Sequence, residues 1–139
     1  MKIRILFTIL FAFFISCKQT IKKTEIEYLN GYWEIVKVEL PEGETKNFKV
    51  NETIDFFSFQ DNKGHRNKVI PQLDGTILSS SVLENFTIIE KNDAFYFEYK
   101  TNYASWKEEL ITMTKEKLVV KNSNDLVYYY KKRDDLNMK

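Results

Sequence analysis

Apolar and polar side chains alternate along most of this chain in short runs, and Gly, Pro, Asn, Asp or Lys clusters break them at short intervals. The first run, Tyr32 to Leu40, stops at Pro41-Glu42-Gly43, and a brief second one covers Lys46 to Val50. Thr53 to Phe59 is stronger and closes at Gln60-Asp61-Asn62-Lys63-Gly64. His65 to Ile70 reads as a polar, edge or solvent-facing partner, ended by Pro71-Gln72-Leu73-Asp74-Gly75. After a short Thr76 to Ser80 segment, five runs follow as a meander: Asn85 to Glu90, Ala94 to Thr101, Trp106 to Met113, Leu118 to Lys121 and Leu126 to Lys131. Only 81–85 and 26–30 leave room for a helical turn.

Side-chain parity predicts which face of each strand is buried. Phe95, Phe97 and Tyr99 share one face against Tyr96, Glu98 and Lys100, and Tyr128 and Tyr130 oppose Val127, Tyr129 and Lys131. In the first strand Trp33 and Ile35 have one parity while Val36, Val38 and Leu40 have the other, the mark of a bulge. Consecutive strands with short connections predict an all-β fold, an up-and-down antiparallel sheet that curls and closes into a barrel of about eight strands.

Composition sharpens this picture. The single cysteine leaves no disulfide, so the domain depends on apolar burial, for which 11 Phe and 8 Tyr supply large side chains. That cysteine, Cys17, follows a positive segment with Lys2 and Arg4 and an apolar run from Ile5 to Ile15 interrupted only by Thr8. Crossing a bilayer takes about 20 apolar residues, and this run is too short to span. Phe14-Ile15-Ser16-Cys17 resembles the lipobox of bacterial lipoproteins. The resemblance implies a signal peptide over 1–16, cleaved so that Cys17 becomes an acylated N-terminus carrying palmitate-type chains, the membrane anchor. An ordinary secretory peptide cut near Ser16 is the alternative.

The polar segment 18–27 then reads as a tether, giving a lipidated N-terminus and tether over 17–29, a barrel over 30–133 and a disordered tail over 134–139. Loss of Lys2 and Arg4 leaves 19 basic and 20 acidic side chains, so no basic field remains to attract nucleic acid. Lys18 differs from the aspartate that holds lipoproteins in the inner membrane of enteric bacteria. By resemblance the chain belongs on the outer membrane of the cell envelope, on either the periplasmic or the surface face.

Leu29-Asn30-Gly31-Tyr32-Trp33, at the entry to the first strand, resembles the Gly-x-Trp opening of lipocalins, and the span 118–133 is similar to the ending of small lipocalin-like lipoproteins of Gram-negative envelopes. The resemblance implies a lipocalin-like (calycin) barrel closed at its base by Gly31, Trp33 and a basic residue of Lys131-Lys132-Arg133, with Arg133 the expected cation over the indole. The chain is shorter than secreted animal lipocalins and lacks their disulfide and a clear long helix.

Catalytic and metal chemistry find little support. His65 is the single histidine, in a polar stretch, and one imidazole does not make a transition-metal site. Ser79-Ser80-Ser81 lacks the glycine framing of a nucleophile elbow. Glu108 and Glu109 alternate across a strand; we expect both to be solvated or lysine-paired, with an inward one able to orient a ligand or complete a core network. No cofactor and no enzymatic activity are expected. Two functions fit a monomer of this kind. One is a module holding a small apolar or amphipathic ligand, walled by Trp33, Phe56, Phe97, Tyr99, Trp106 and Tyr128. The other is a filled barrel acting as an interaction or inhibitor module, whose loops, Gln60 to Arg66 among them, contact an envelope protein.

Overall fold

Asp61 and Asn62 both adopt positive φ, 52° and 64°, as do Asn92 and Asp93 at 52° and 58°. Short polar side chains tolerate that region, and two such residues in succession form the tight turn whose twist matches an antiparallel hairpin. The computed structural model, which describes residues 20–136, therefore joins β3 (Ile54–Gln60) to β4 (Lys63–Pro71) and β6 (Glu84–Lys91) to β7 (Ala94–Lys100) by two-residue turns. The remaining strands are β1 (Gly31–Glu39), β2 (Thr45–Asn47), β5 (Ile77–Ser79), β8 (Ser105–Met113), β9 (Lys117–Asn122) and β10 (Val127–Lys132). Neighbouring strands run antiparallel in the order β10-β9-β8-β7-β6-β4-β3-β1, and β1 pairs back onto β10 to close an eight-stranded barrel. The short β2 and β5 attach to β1 and β4. The expected all-β barrel is thus what the chain forms; the signal peptide and Cys17 lie outside the described residues, as do the last three residues of the tail.

The parity slip in β1 is a register shift between Ile35 and Lys37 against β10. Before it, Trp33 and Ile35 face inward opposite Lys132 and Tyr130; after it, Val38 lies opposite Tyr128. Gly31 has φ of 119°, a region that side chains rarely enter, so the chain turns from helix into strand on a residue without a Cβ.

The tight turns after β3, β6 and β8 gather at one end of the barrel, the base, and the longer connections gather at the other, the mouth. A 3-10 helix, Lys23–Leu29, caps the base, and its Ile26 and Leu29 are fully buried against Trp33. From Lys23 onward, then, the expected tether is part of the fold, because the two apolar residues three apart in the helix point at the core. Asp134–Leu136, expected in the tail, forms a second short 3-10 turn.

Above the base the interior is filled by rings. Phe57, Phe86, Phe97 and Tyr130 meet edge-on or tilted at centroid distances of 5.2 to 6.5 Å. Phe59 and Phe86 stack across Gly64, where an added Cβ would lie 2.6 Å from Phe86 Cζ, so this inward position admits only glycine without a shift.

A charged layer inside the barrel mouth

The direct cross-strand pairs place several ionisable groups on the inner face. Trp33 lies opposite Asp55 and Asp55 opposite Lys68; Phe57 lies opposite Arg66 and Arg66 opposite Glu84; Phe97 lies opposite Glu108. Directly paired residues share a face, so Asp55, Arg66, Lys68, Glu84 and Glu108 all point inward with the core aromatics.

Arg66 is the centre of this layer. Its side chain is only 11% exposed; Nε donates to Glu84 Oε2 at 2.6 Å, and Nη1 reaches Glu108 Oε2 at 3.5 Å. Its guanidinium lies 4.6 Å from the centre of the Tyr99 ring, which stacks in turn on Trp106 at 4.8 Å with an 8° interplanar angle. Trp106 Nε1 donates to the other oxygen of Glu108 at 3.2 Å. On the adjacent side, Asp55 is 1% exposed and its Oδ1 pairs with Lys68 Nζ at 2.5 Å, while the Lys68 side chain remains half exposed. Asp55 Oδ2 and the Tyr99 hydroxyl are buried without a hydrogen-bond partner among the described residues. Burial pushes both Tyr99 and Tyr130 hydroxyls well above the ordinary tyrosine range, so they stay neutral donors and acceptors.

A buried ion pair seldom adds stability over apolar residues of similar size, because desolvation offsets the attraction. Burial raises the Glu108 carboxyl above its ordinary value, and Arg66 and the Trp106 N–H draw it part of the way back. The native state then takes up its proton at a higher pH than the unfolded chain. Below the raised value the wild type gains stability as pH falls toward the unfolded glutamate value of about 4.3. Glu108→Gln lacks that gain, so urea midpoints at pH 7 and 5 should diverge further at pH 5 in favour of the wild type. A constant difference between the two would mean that Glu108 titrates normally.

The expected ligand-wall residues separate in space. Phe97 and Tyr99 are buried in the ring cluster and help to fill the barrel, whereas Trp106 and Tyr128 are partly exposed and pack against that cluster toward the mouth. Phe56 is corrected: it faces outward, against Tyr32 at 4.9 Å and His65 at 6.4 Å, and Phe57 takes the inner position. Glu108 is inward and ion-paired rather than solvated. At the base the cation over Trp33 is Lys132, with Nζ 4.5 Å from the ring, not Arg133. Lys132 sits directly across from Trp33, so the next residue points away, and Arg133 pairs with Glu34 and Asp135 instead. Lys132 Nζ also donates to the carbonyls of Tyr28 and Asn30, and Trp33 Nε1 donates to Leu29 O at 2.7 Å. The sequence reading missed Asp55, Arg66, Lys68 and Glu84. A two-residue Asp61-Asn62 turn reveals the first three, since it sets Phe57 opposite Arg66 and Asp55 opposite Lys68, whereas Glu84 depends on the β4–β6 pairing across a long connection.

At the outer rim the connections before β6 and after β7 leave Val82, Leu83 and Tyr103 exposed around a recess of about 440 Å³ that Asn85 and Lys100 also line.

The model of the lipocalin-like domain family matches residues 29–120. Two solved structures are similar in fold. A lipocalin-like protein from Bacteroides uniformis is 12% identical, covering 76% of this chain and 99% of that one, with a TM-score of 0.47. An uncharacterized protein from Bacteroides eggerthii is 11% identical over the same shares, with a TM-score of 0.48. No curated protein matches the chain.

Proposed function

The chain belongs to the lipocalin-like domain family, and from that premise we propose that it is a non-catalytic binding module, held on the outer membrane by acyl chains on Cys17, that takes a small amphipathic ligand at the mouth of its barrel. The observation that carries this reading is the Arg66–Glu84–Glu108 cluster inside the barrel. A filled apolar interior would serve stability as well or better, so ions set inside at the open end are best explained by something they bind. The apolar part of the ligand rests on Trp106 and Tyr128, and its polar part meets the charged layer. Acyl chains on Cys17 in the intact mass of the mature protein are the check on the anchor; an unmodified thiol would remove it.

Titration of the barrel domain with the neutral amphipathic dye nile red tests the binding reading. Saturable fluorescence with a Kd of about 1 µM, worth roughly 8 kcal/mol, is expected, together with quenching of Trp106 and loss of both in Trp106→Ala. A linear, non-saturating response would contradict it.

The exposed Val82, Leu83 and Tyr103 favour a second reading, in which the rim contacts a partner protein. Tyr103→Ser would then abolish partner capture and leave dye binding intact.

A further inference from the structure

Asp55 lies on the last rung that β1 and β3 share, opposite Trp33, and beyond it the two strands part. Its carboxylate is essentially inaccessible, at 1% exposure, yet its one ionic partner among the described residues is a lysine whose side chain is half in solvent. A long flexible side chain reaching from solvent to place an ammonium on a buried carboxylate has the geometry of a ligand in a site. The groups around it have the same preference. Asp55 Oδ2 lacks a donor, and the Tyr99 hydroxyl lacks any partner among the described residues. Arg66 is already shared between Glu84 and Glu108, so the layer holds three carboxylates against two cations. The Tyr99 ring, which already carries the Arg66 guanidinium at 4.6 Å, lies in this layer of excess negative charge, surroundings that suit an organic cation.

We propose that Asp55 is the binding site for a primary ammonium group and that Lys68 fills it in the resting protein as a displaceable internal substitute. The proposal rests on the ligand-binding reading and gives its ligand a class: an amphipathic amine. The incoming ammonium replaces Lys68 Nζ on Asp55, its apolar part runs back along the path of the Lys68 stem to the mouth, and Lys68 swings out to water at small cost because half of it is there already.

The test uses the full-length protein in non-ionic detergent, titrated calorimetrically with hexylammonium chloride, sodium hexanoate and hexanol at matched ionic strength. Hexylammonium should bind the wild type saturably while hexanoate and hexanol do not, and Lys68→Ala should bind hexylammonium at least about tenfold more tightly, since its internal competitor is gone. Lys68→Ala leaves a buried carboxylate unpaired and so melts lower than wild type. Hexylammonium should restore its midpoint by about 4 °C or more, and the Asp55→Asn/Lys68→Met pair, which has neither charge, should show no such shift. If Lys68→Ala does not fold, the wild-type titration and the double variant still decide. Preference for hexanoate overturns the amine assignment while leaving a ligand-binding barrel. Equal affinity of wild type and Lys68→Ala overturns the role of Lys68. Failure of the binding reading itself registers separately, as the absence of saturable nile red binding.

Discussion

Arg66→Ala should destabilise the barrel by about 3 to 5 kcal/mol, because it strips the cation from two carboxylates that remain inside. Glu84 keeps some exposure, but Glu108 is buried and would have to bind a proton or draw in water. A domain of this size has a total stability of about 5 to 15 kcal/mol, so the variant should be marginal at neutral pH. It should recover part of the loss as pH is lowered, because burial raises the Glu108 carboxyl and its protonation removes the unpaired charge. The informative control removes the whole cluster: Arg66→Met/Glu84→Gln/Glu108→Leu should unfold in urea within about 1.5 kcal/mol of the wild type, as volume-conserving apolar substitutions do. Together the two results would separate what the cluster contributes to folding from what it is there to do. A triple variant as unstable as Arg66→Ala would make the network structural.

Trp33→Ala should cost a comparable 3 to 5 kcal/mol, by a different mechanism. The indole is fully buried between the 3-10 helix and the ring cluster, donates to Leu29 O, and carries Lys132 over its face. Truncation opens a cavity at the one place where the first strand, the last strand and the N-terminal helix meet. Lys132→Met should cost about 0.5 to 2 kcal/mol through the lost cation–π contact. Arg133→Ala, whose ion pairs with Glu34 and Asp135 are part exposed, should cost no more than about 1 kcal/mol. Chemical denaturation of the three variants checks that order; Arg133→Ala costing more than Lys132→Met would return the clasp to Arg133.

Where the interior is apolar, side-chain parity placed the residues well. Phe95, Phe97 and Tyr99, Tyr128 with Tyr130, and the slip after Ile35 all behave in the barrel as their spacing implies. It failed where the interior is charged. In β3 the inward set is Asp55, Phe57 and Phe59, and the carboxylate makes the outward set of Ile54 and Phe56 look like the core face. In β4 the inward Arg66 and Lys68 give the whole strand the look of a solvated edge, and in β8 Glu108 resembles its outward neighbour Glu109. Alternation assumes that the buried face is apolar, so a polar site built into that face erases its own signal. The turn chemistry survives that loss, since the Asp61-Asn62 turn sets the register whatever the strand carries. Ile26 and Leu29 were hidden for another reason: one short 3-10 helix is too brief to show a period.

Native mass spectrometry of the protein purified from the cells that make it is the decisive measurement of binding. A one-to-one small-molecule adduct that gentle collisional activation removes is expected, and a bare mass for the Arg66→Met/Glu84→Gln/Glu108→Leu variant folded under the same conditions. A wild type that appears only at its bare mass, or only with a second protein bound, would contradict it.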